Sequence, residues 1–401
     1  MTLEAAWGTV NALERQRRTD VHNVKIAAVG DLAAARPTWA EIDLSALRRN
    51  LGRVRERAGD RRVLAVVKAD AYGHGAVEIS RTLVQEGCEA LAVATLEEAR
   101  QLREAGIEAP LLLLSGLHAP EQADTALSQD LVPALGRLDA LEPLEAAAKR
   151  AGRDFPLHLN VDTGMTRLGL ALEEVAPALE RIARAKRLEC VGLMSHLADA
   201  DERDAASLRR QRERFAALVA QVRDAGYAPK WIHLDNSAGL IHGPTPDTSA
   251  VRVGLMLYGA DPTLEGGCSL DPVMSLCTRA IHAKTVQKGT RVGYGGIFVS
   301  QEPTRILTLP VGYADGLPRA AGGAFSVGLR GRRVPLVGRV SMDLATVDAG
   351  PAFEGGVGEE ILIFGRKKEL VIPVEELAAA VGTIAYEILV AVGPRVERVA
   401  E

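Results

Sequence analysis

The sequence predicts an α/β protein: a (β/α)8 TIM-type barrel followed by a mostly β C-terminal domain. Three observations carry that expectation. Short apolar runs near 63–67, 90–94, 111–114, 131–134, 156–161, 188–193, 231–235 and 250–257 recur at roughly 25 residues, the length of a βα unit. Helical patterns fill most of the gaps, at 76–86, 96–105, 137–151, 171–185 and 204–225. Beyond about residue 270 the texture changes: Gly, Pro and β-branched residues rise, and long helical periods vanish except near 373–381. A doubly wound open sheet is the rival. It would want a glycine-rich phosphate turn after its first strand. Gly73 and Gly75 do not make that turn, and Gly293-Tyr-Gly-Gly lies too late in the chain.

Taken in order, residues 1–37 read as an N-terminal extension of mixed charge and short apolar pieces, partly helical, with no identifiable chemistry. The segment 38–43 reads as a short strand that either opens the barrel domain, 38–270, or joins the C-terminal domain, 271–401. Ser45 is a suitable N-cap for a helix reaching Arg57. In the C-terminal domain the candidate strands are 276–286, 305–311, 333–340, 344–348 and 359–364.

A chain of 401 residues favours two domains and can bury a large core. Hydrophobic content of 47% and charged content of 25% are ordinary for a soluble globular protein. A net charge of −4 argues against a nucleic-acid surface, and the run Arg15-Gln-Arg-Arg18 is too short to contradict it. No apolar stretch has bilayer length, and no basic n-region precedes an apolar run, so the expected location is cytoplasmic without membrane attachment. Cys88, Cys190, Cys268 and Cys277 show no CxxC spacing, so no metal site is expected.

The chemistry gathers at predicted strand ends, where barrel enzymes place it. The first run, Val63-Leu-Ala-Val-Val67, delivers Lys68, followed by Tyr72. A lysine there either snorkels to water or loses its charge and becomes a nucleophilic amine. Such an amine forms Schiff bases with carbonyl compounds, pyridoxal phosphate among them. The fifth run leads into Asp162-Thr-Gly-Met-Thr-Arg167, the sixth ends in Ser195-His196, and the seventh in Asp235-Asn-Ser237. The eighth carries Arg252. Singly, each has a bland reading: an ion-paired arginine, a core histidine, a capping serine. Together they suit a phosphorylated aldehyde. Ser237, the backbone N–H groups around Gly254 and Leu255, and a tyrosine hydroxyl can cradle phosphate. Arg252, always charged and able only to donate, would leave a facing pyridine nitrogen unprotonated, a weaker electron sink than a carboxylate partner gives.

Here the chain resembles the alanine racemases. Val66-Val-Lys-Ala-Asp-Ala-Tyr-Gly-His-Gly75 is similar to that family's cofactor-lysine signature. The similarity continues through Val161-Asp-Thr-Gly-Met165, Met194-Ser-His196, Asn236-Ser-Ala-Gly239, Val251-Arg-Val-Gly254 and Val292-Gly-Tyr-Gly295. It extends through Pro310-Val-Gly-Tyr-Ala-Asp-Gly316, Gly338-Arg-Val-Ser-Met-Asp343 and Tyr386-Glu-Ile388, in the family's order. The resemblance implies pyridoxal 5'-phosphate as cofactor, a homodimer with shared active sites, and interconversion of L- and D-alanine that supplies D-alanine for peptidoglycan. It implies two bases, Lys68 and Tyr294, the latter from the other subunit. Inversion at a carbon needs a proton donor and acceptor on opposite faces. It further implies that His196 bonds Arg252 and tunes Tyr294. Tyr72, Ser237, Gly254, Leu255 and Tyr386 would hold phosphate, Arg167 and the Met342 backbone would contact the substrate carboxylate, and Tyr313 and Asp343 would restrict the entrance.

One departure bears on substrate. Many members carry a carbamylatable lysine where this chain has Asn160. Some broad-specificity racemases are similar to this chain in having asparagine there, and such an enzyme is the alternative reading. If Arg167 is partly buried, either Asn160 and Arg167 together form a site for a monovalent anion such as chloride, or a carboxylate elsewhere in the chain pairs with Arg167. A basic amino-acid decarboxylase is disfavoured by Arg252, and a pyridoxal-phosphate carrier by the large second domain.

Overall fold

Why the first domain closes is visible in its strands. Most of their residues are apolar, as strands buried on both faces require. Arg62–Val66, Ala90–Val93, Leu111–Leu113, Leu131–Leu135, Phe155–Asn160, Leu188–Met194, Trp231–His233 and Ala250–Val253 pair in parallel, each with the next. The last returns to the first, with Ala250 opposite Arg62 and Val253 opposite Ala65, so the eight form a closed barrel. Leu157, Leu159, Phe155 and Val251 are fully buried, each contributing about 1.5–3 kcal/mol of apolar burial. Helices Ala76–Gln85, Leu96–Glu104, Gln122–Ser128, Leu141–Ala151, Val175–Arg184 and Ala206–Asp224 fill connections between the strands.

This computed structural model describes residues 26–27, 36–202, 206–263 and 267–400. The described residues fall into two units, one of 45–71 with 76–271 and one holding the remainder. Most of the extension expected over 1–37 lies outside the described residues. No described helix is long and apolar enough to cross a membrane.

The second unit is mostly β. Thr38–Ile42 pairs antiparallel with Met274–Arg279 and parallel with Glu397–Ala400. Met274–Arg279 pairs antiparallel with Glu360–Lys367, which continues the sheet to Ser326–Leu329 and Arg332–Pro335. A three-stranded sheet joins His282–Val286, Thr304–Leu309 and Ala345–Asp348. A two-stranded hairpin pairs Arg291–Val292 with Phe298–Val299. Val292 and Phe298 anchor it on a small core of Val286, Ile306 and Val337.

Local differences from the sequence reading have physical reasons. Ser45 is not the cap, because the helix already starts at Leu44 and runs to Ala58. The run 276–286 is two strands in different sheets, since the chain changes partner after Arg279. The run 250–257 breaks at Gly254 into a strand and a 3-10 turn, Leu255–Tyr258. At that break Gly254 N and Met256 N leave the strand ladder and donate to Ser237 Oγ. Helix Ala385–Ala391 and strand Glu397–Ala400 were not anticipated; both are short, and their periodicity is weak.

Candidate active site

In the barrel unit the first strand ends at Val66, and Tyr258 Oη donates to the Val66 carbonyl at 2.8 Å. Val67 still donates to Ala92 O, and Lys68 then opens a turn of unusual hand. Ala69, Asp70, Ala71 and Tyr72 have φ of 51°, 53°, 52° and 55°. An L-residue there costs roughly 1–2 kcal/mol, so such a run persists only where its surroundings impose it. Glu98 Oε1 accepts from Ala69 N at 2.7 Å, and Asp70 Oδ1 from Ala76 N at 2.7 Å. Glu98 also closes the capping box of its own helix, which fixes its position. Lys68 is half-buried, and its pKa is lowered: burial acts most, then the charge of Arg167; Glu98 opposes, and Arg252 adds to the lowering. The result is an amine that gives up its proton more readily than a surface lysine.

Arg252 is the hub of a buried chain. It is 3% exposed. Its Nη1 is 2.7 Å from His233 Nδ1, and Nη2 is 2.8 Å from His196 Nδ1 and donates to Ser195 O at 3.0 Å. His233 Nε2 lies 2.9 Å from His158 Nδ1. A guanidinium can only donate, so both Nδ1 atoms facing it accept, and the protons of His233 and His196 sit on Nε2. His233 Nε2–H then donates to His158 Nδ1. Burial, and next the charge of Arg252, push His158 and His196 each down to about 3, and lower His233 well below 6.5. These histidines are neutral at working pH. Space for His158 comes from Gly192, where a Cβ would lie 2.3 Å from the ring.

Next to this chain, Asn236 caps helix Ser237–Ile241 by accepting from Gly239 N at 2.9 Å. Ser237 Oγ accepts from Gly254 N at 3.1 Å and Met256 N at 3.3 Å. Ser237, Gly254 and Leu255 thus come together at the ends of the seventh and eighth strands, an arrangement of donors suited to an anion.

Asn160 is buried at the end of the fifth strand. Arg167, however, is exposed, and no carboxylate bonds it among the described residues. The expectation that Arg167 is partly buried is corrected: within this unit water solvates it, and burial alone does not demand a counter-ion.

The second unit holds the other expected residues. Tyr72 and Tyr386 pair, with ring centroids 5.9 Å apart. Tyr313 opens a 3-10 turn whose amides lie on a neighbouring loop: Tyr313 N donates to Ser341 O at 3.1 Å and Ala314 N to Met342 O at 3.0 Å. Buried Asp315 accepts from Arg36 at 2.6 and 3.0 Å, and Arg395 bridges Asp315 and Asp343 at 3.3 and 2.7 Å. Tyr313, Met342 and Asp343 are therefore one tied cluster. Tyr294 stands on the 3-10 turn between Arg291–Val292 and Phe298–Val299, 70% exposed.

His158 and His233 were missed by sequence reasoning. A signal existed: in Phe155–Asn160, His158 and Asn160 alternate with Leu157 and Leu159, placing two polar side chains on one face of a buried strand.

The family model for the alanine racemase N-terminal domain matches residues 42–262, and that for the alanine racemase C-terminal domain matches 273–400. An alanine racemase of Desulforamulus reducens is 39% identical over 368 residues, covering 90% of this chain and 98% of that one. One of Cutibacterium acnes is 40% identical over 365 residues, covering 90% and 97%. Among solved structures, alanine racemase from D-cycloserine-producing Streptomyces lavendulae superposes with a TM-score of 0.87 at 35% identity, covering 92% of this chain and 98% of that one. The enzyme from Bartonella henselae, solved with covalently bound pyridoxal phosphate, gives 0.82 at 30% identity, covering 91% and 99%. The chain belongs to the alanine racemase family and is an isomerase of that kind.

Proposed function

We propose that this chain interconverts L- and D-alanine with pyridoxal phosphate carried on Lys68, that a second copy completes each site, and that the D-alanine serves peptidoglycan synthesis. The observation that carries the reading is Lys68, its pKa lowered by burial and by Arg167, on a barrel rim that also holds Arg252 and Ser237. The donor set fits the cofactor. Lys68 offers an amine to the aldehyde, Ser237 with the Gly254 and Leu255 backbone offers a phosphate site, and Arg252 offers a donor-only partner to a ring nitrogen. Tyr72 and Tyr386 supply phenol groups toward the phosphate. The bound cofactor supplies an electron sink for charge developing at the substrate α-carbon.

The chain's own residues move the protons. Lys68 Nζ takes or returns one on the first face of the α-carbon, and Tyr294 Oη does so on the opposite face. Tyr294 comes from the second copy in this reading, consistent with its exposure on its own hairpin. His196, proton on Nε2, is a donor available to the Tyr294 oxygen, and its neutrality stops it acting as a second acid. Arg167 with the Met342 backbone takes the substrate carboxylate, and Tyr313 with Asp343 limits side-chain size. Asn160 with Arg167 remains the candidate site for a monovalent anion such as chloride, although exposed Arg167 does not require one; an anomalous peak on both side chains after a bromide soak would support it, and no such peak would reject it.

Chiral chromatography of L-alanine incubated with the purified holoenzyme tests the reaction. D-alanine is the expected product; carbon dioxide release without it overturns the reading. Comparable rates across a panel of L-amino acids would favour the broad-specificity enzyme instead. Borohydride reduction and peptide mapping should label Lys68, and a label on another lysine rejects the assignment.

A further inference from the structure

The left-handed turn after Lys68 ends at Gly73, and what holds that end comes from the last strand of the chain. Arg398, on Glu397–Ala400, is 1% exposed. Its Nε donates to Gly73 O at 3.0 Å, Nη1 donates to Gly393 O and Val396 O, both at 2.6 Å, and Nη2 donates to Val392 O. A buried guanidinium is a costly way to satisfy loop carbonyls near its own strand. What it does that an apolar residue could not is join those carbonyls to one 325 residues away.

Gly73 is shaped for this join. A Cβ there would lie 2.5 Å from Leu389 O, at a φ of +79°. Leu389 belongs to helix Ala385–Ala391, which carries Tyr386. The turn that carries Tyr72 is thus pressed on the helix that carries Tyr386, and its last carbonyl is gripped by Arg398. His74 Nδ1, 2.9 Å from Tyr72 O, restrains the carbonyl between. We infer that Arg398 is a positioning residue for cofactor binding: it locks the end of the left-handed turn and so sets Tyr72 against Tyr386. The inference rests on reading those two tyrosines as phosphate ligands. It assigns to a residue at the far end of the chain the task of shaping the phosphate site.

The test compares pyridoxal phosphate with pyridoxal, which has the same aldehyde and no phosphate. Arg398→Lys keeps the charge but loses the fork that reaches several carbonyls at once. Gly73→Ala attacks the same join from the other side and leaves Arg398 intact. Both variants, freed of cofactor and titrated, should bind pyridoxal phosphate about tenfold more weakly. Pyridoxal affinity should change by less than about twofold. Amide exchange over 68–75 should quicken in both cofactor-free variants while the barrel strands keep their protection. Unchanged pyridoxal phosphate affinity, or equal weakening toward both aldehydes, overturns the inference. If Arg398→Lys does not fold, Gly73→Ala decides the matter. If the wild type itself does not prefer the phosphorylated aldehyde, the phosphate reading fails, and the clamp is judged on exchange over 68–75 alone.

Discussion

The barrel rim and the Tyr294 hairpin make opposite use of polar side chains. On the rim, Arg252 and His233 are essentially inaccessible, and each nitrogen discussed has a partner whose donor or acceptor role is forced by the next. On the hairpin, Tyr294 is 70% exposed and makes no side-chain hydrogen bond among the described residues; elsewhere in the same unit Met342 and Tyr313 are exposed too. The first region is finished within one chain: its dipoles are fixed before any ligand arrives, which is what electrostatic preorganisation requires. The second is presented rather than finished. A large aromatic left outside its own core, on a turn anchored by Val292 and Phe298, is the group that the proposed second copy would take up.

The strongest way to break this contrast is Lys68→Ala. If the rim is preorganised for one amine, its loss should lower racemisation by about 10⁴-fold or more, while the unfolding midpoint stays close to wild type. Chiral chromatography and thermal unfolding measure the two. Retention of more than about a hundredth of the activity would mean that the chemistry does not run through Lys68.

Tyr294→Phe sharpens the other side. Removing one hydroxyl should cost about 10²–10⁴ in rate; kcat and KM should each change unequally in the two directions, because each direction uses the phenol differently, while kcat/KM falls equally in both, as the equal free energies of enantiomers require. Equal mixing of this variant with Lys68→Ala should return about a quarter of wild-type activity, since half the dimers are mixed and each has one intact site of two. Proven subunit exchange without recovery would place Tyr294 and Lys68 of one chain in the same site.

The same contrast explains what the sequence revealed. Lys68, Arg252, Ser237 and His196 were legible because strand ends in a barrel are predictable, and those residues sit at or directly after apolar runs. The eight strands were legible for the same reason, each lying in a mainly apolar run with a helical period in most of the gaps between them. The left-handed turn was not. Ala69, Ala71 and Tyr72 have no intrinsic leaning to positive φ; within the barrel unit Glu98 holds Ala69 N and Asp70 holds Ala76 N, and within the other unit Arg398 holds Gly73 O, contacts that no local pattern announces. His158 and His233 were hidden because a histidine inside an apolar run reads as an ordinary core residue. The exposure of Arg167 was out of reach, since its loop pairs back through Leu170 N to Asn160 O, a contact no periodicity announces.

The hidden histidines yield a pH prediction. His158 is fully buried and its pKa is pushed down to about 3, whereas unfolded histidine titrates near 6.5. Between those values the unfolded chain binds more protons than the folded one, so stability falls as pH falls through that window and is level above it. At pH 5 the loss due to His158 is about 2 kcal/mol. Denaturant unfolding at pH 7.5 and pH 5, at one protein concentration, should show a difference smaller by about that amount in His158→Gln. Equal differences in variant and wild type would show that His158 takes up its proton without unfolding. The Tyr294 hairpin has no buried histidine among its core residues and should add nothing to this slope.

The smallest effect expected is one of absence, at the seam between the finished region and Arg167. A lysine at position 160 could react with carbon dioxide and acquire the negative charge that Arg167 lacks as a partner. Asn160 offers a carboxamide, whose nitrogen is not nucleophilic, so no such charge can form there. Arg167, exposed in its own unit, tolerates this because water solvates it. Bicarbonate added to carbon-dioxide-depleted enzyme should therefore leave kcat and KM within about twofold. Asn160→Lys should restore sensitivity: a lysine there is buried, so carbamylation would both neutralise its misplaced positive charge and give Arg167 an anion. Activation of the wild type by bicarbonate would mean that another lysine is modified.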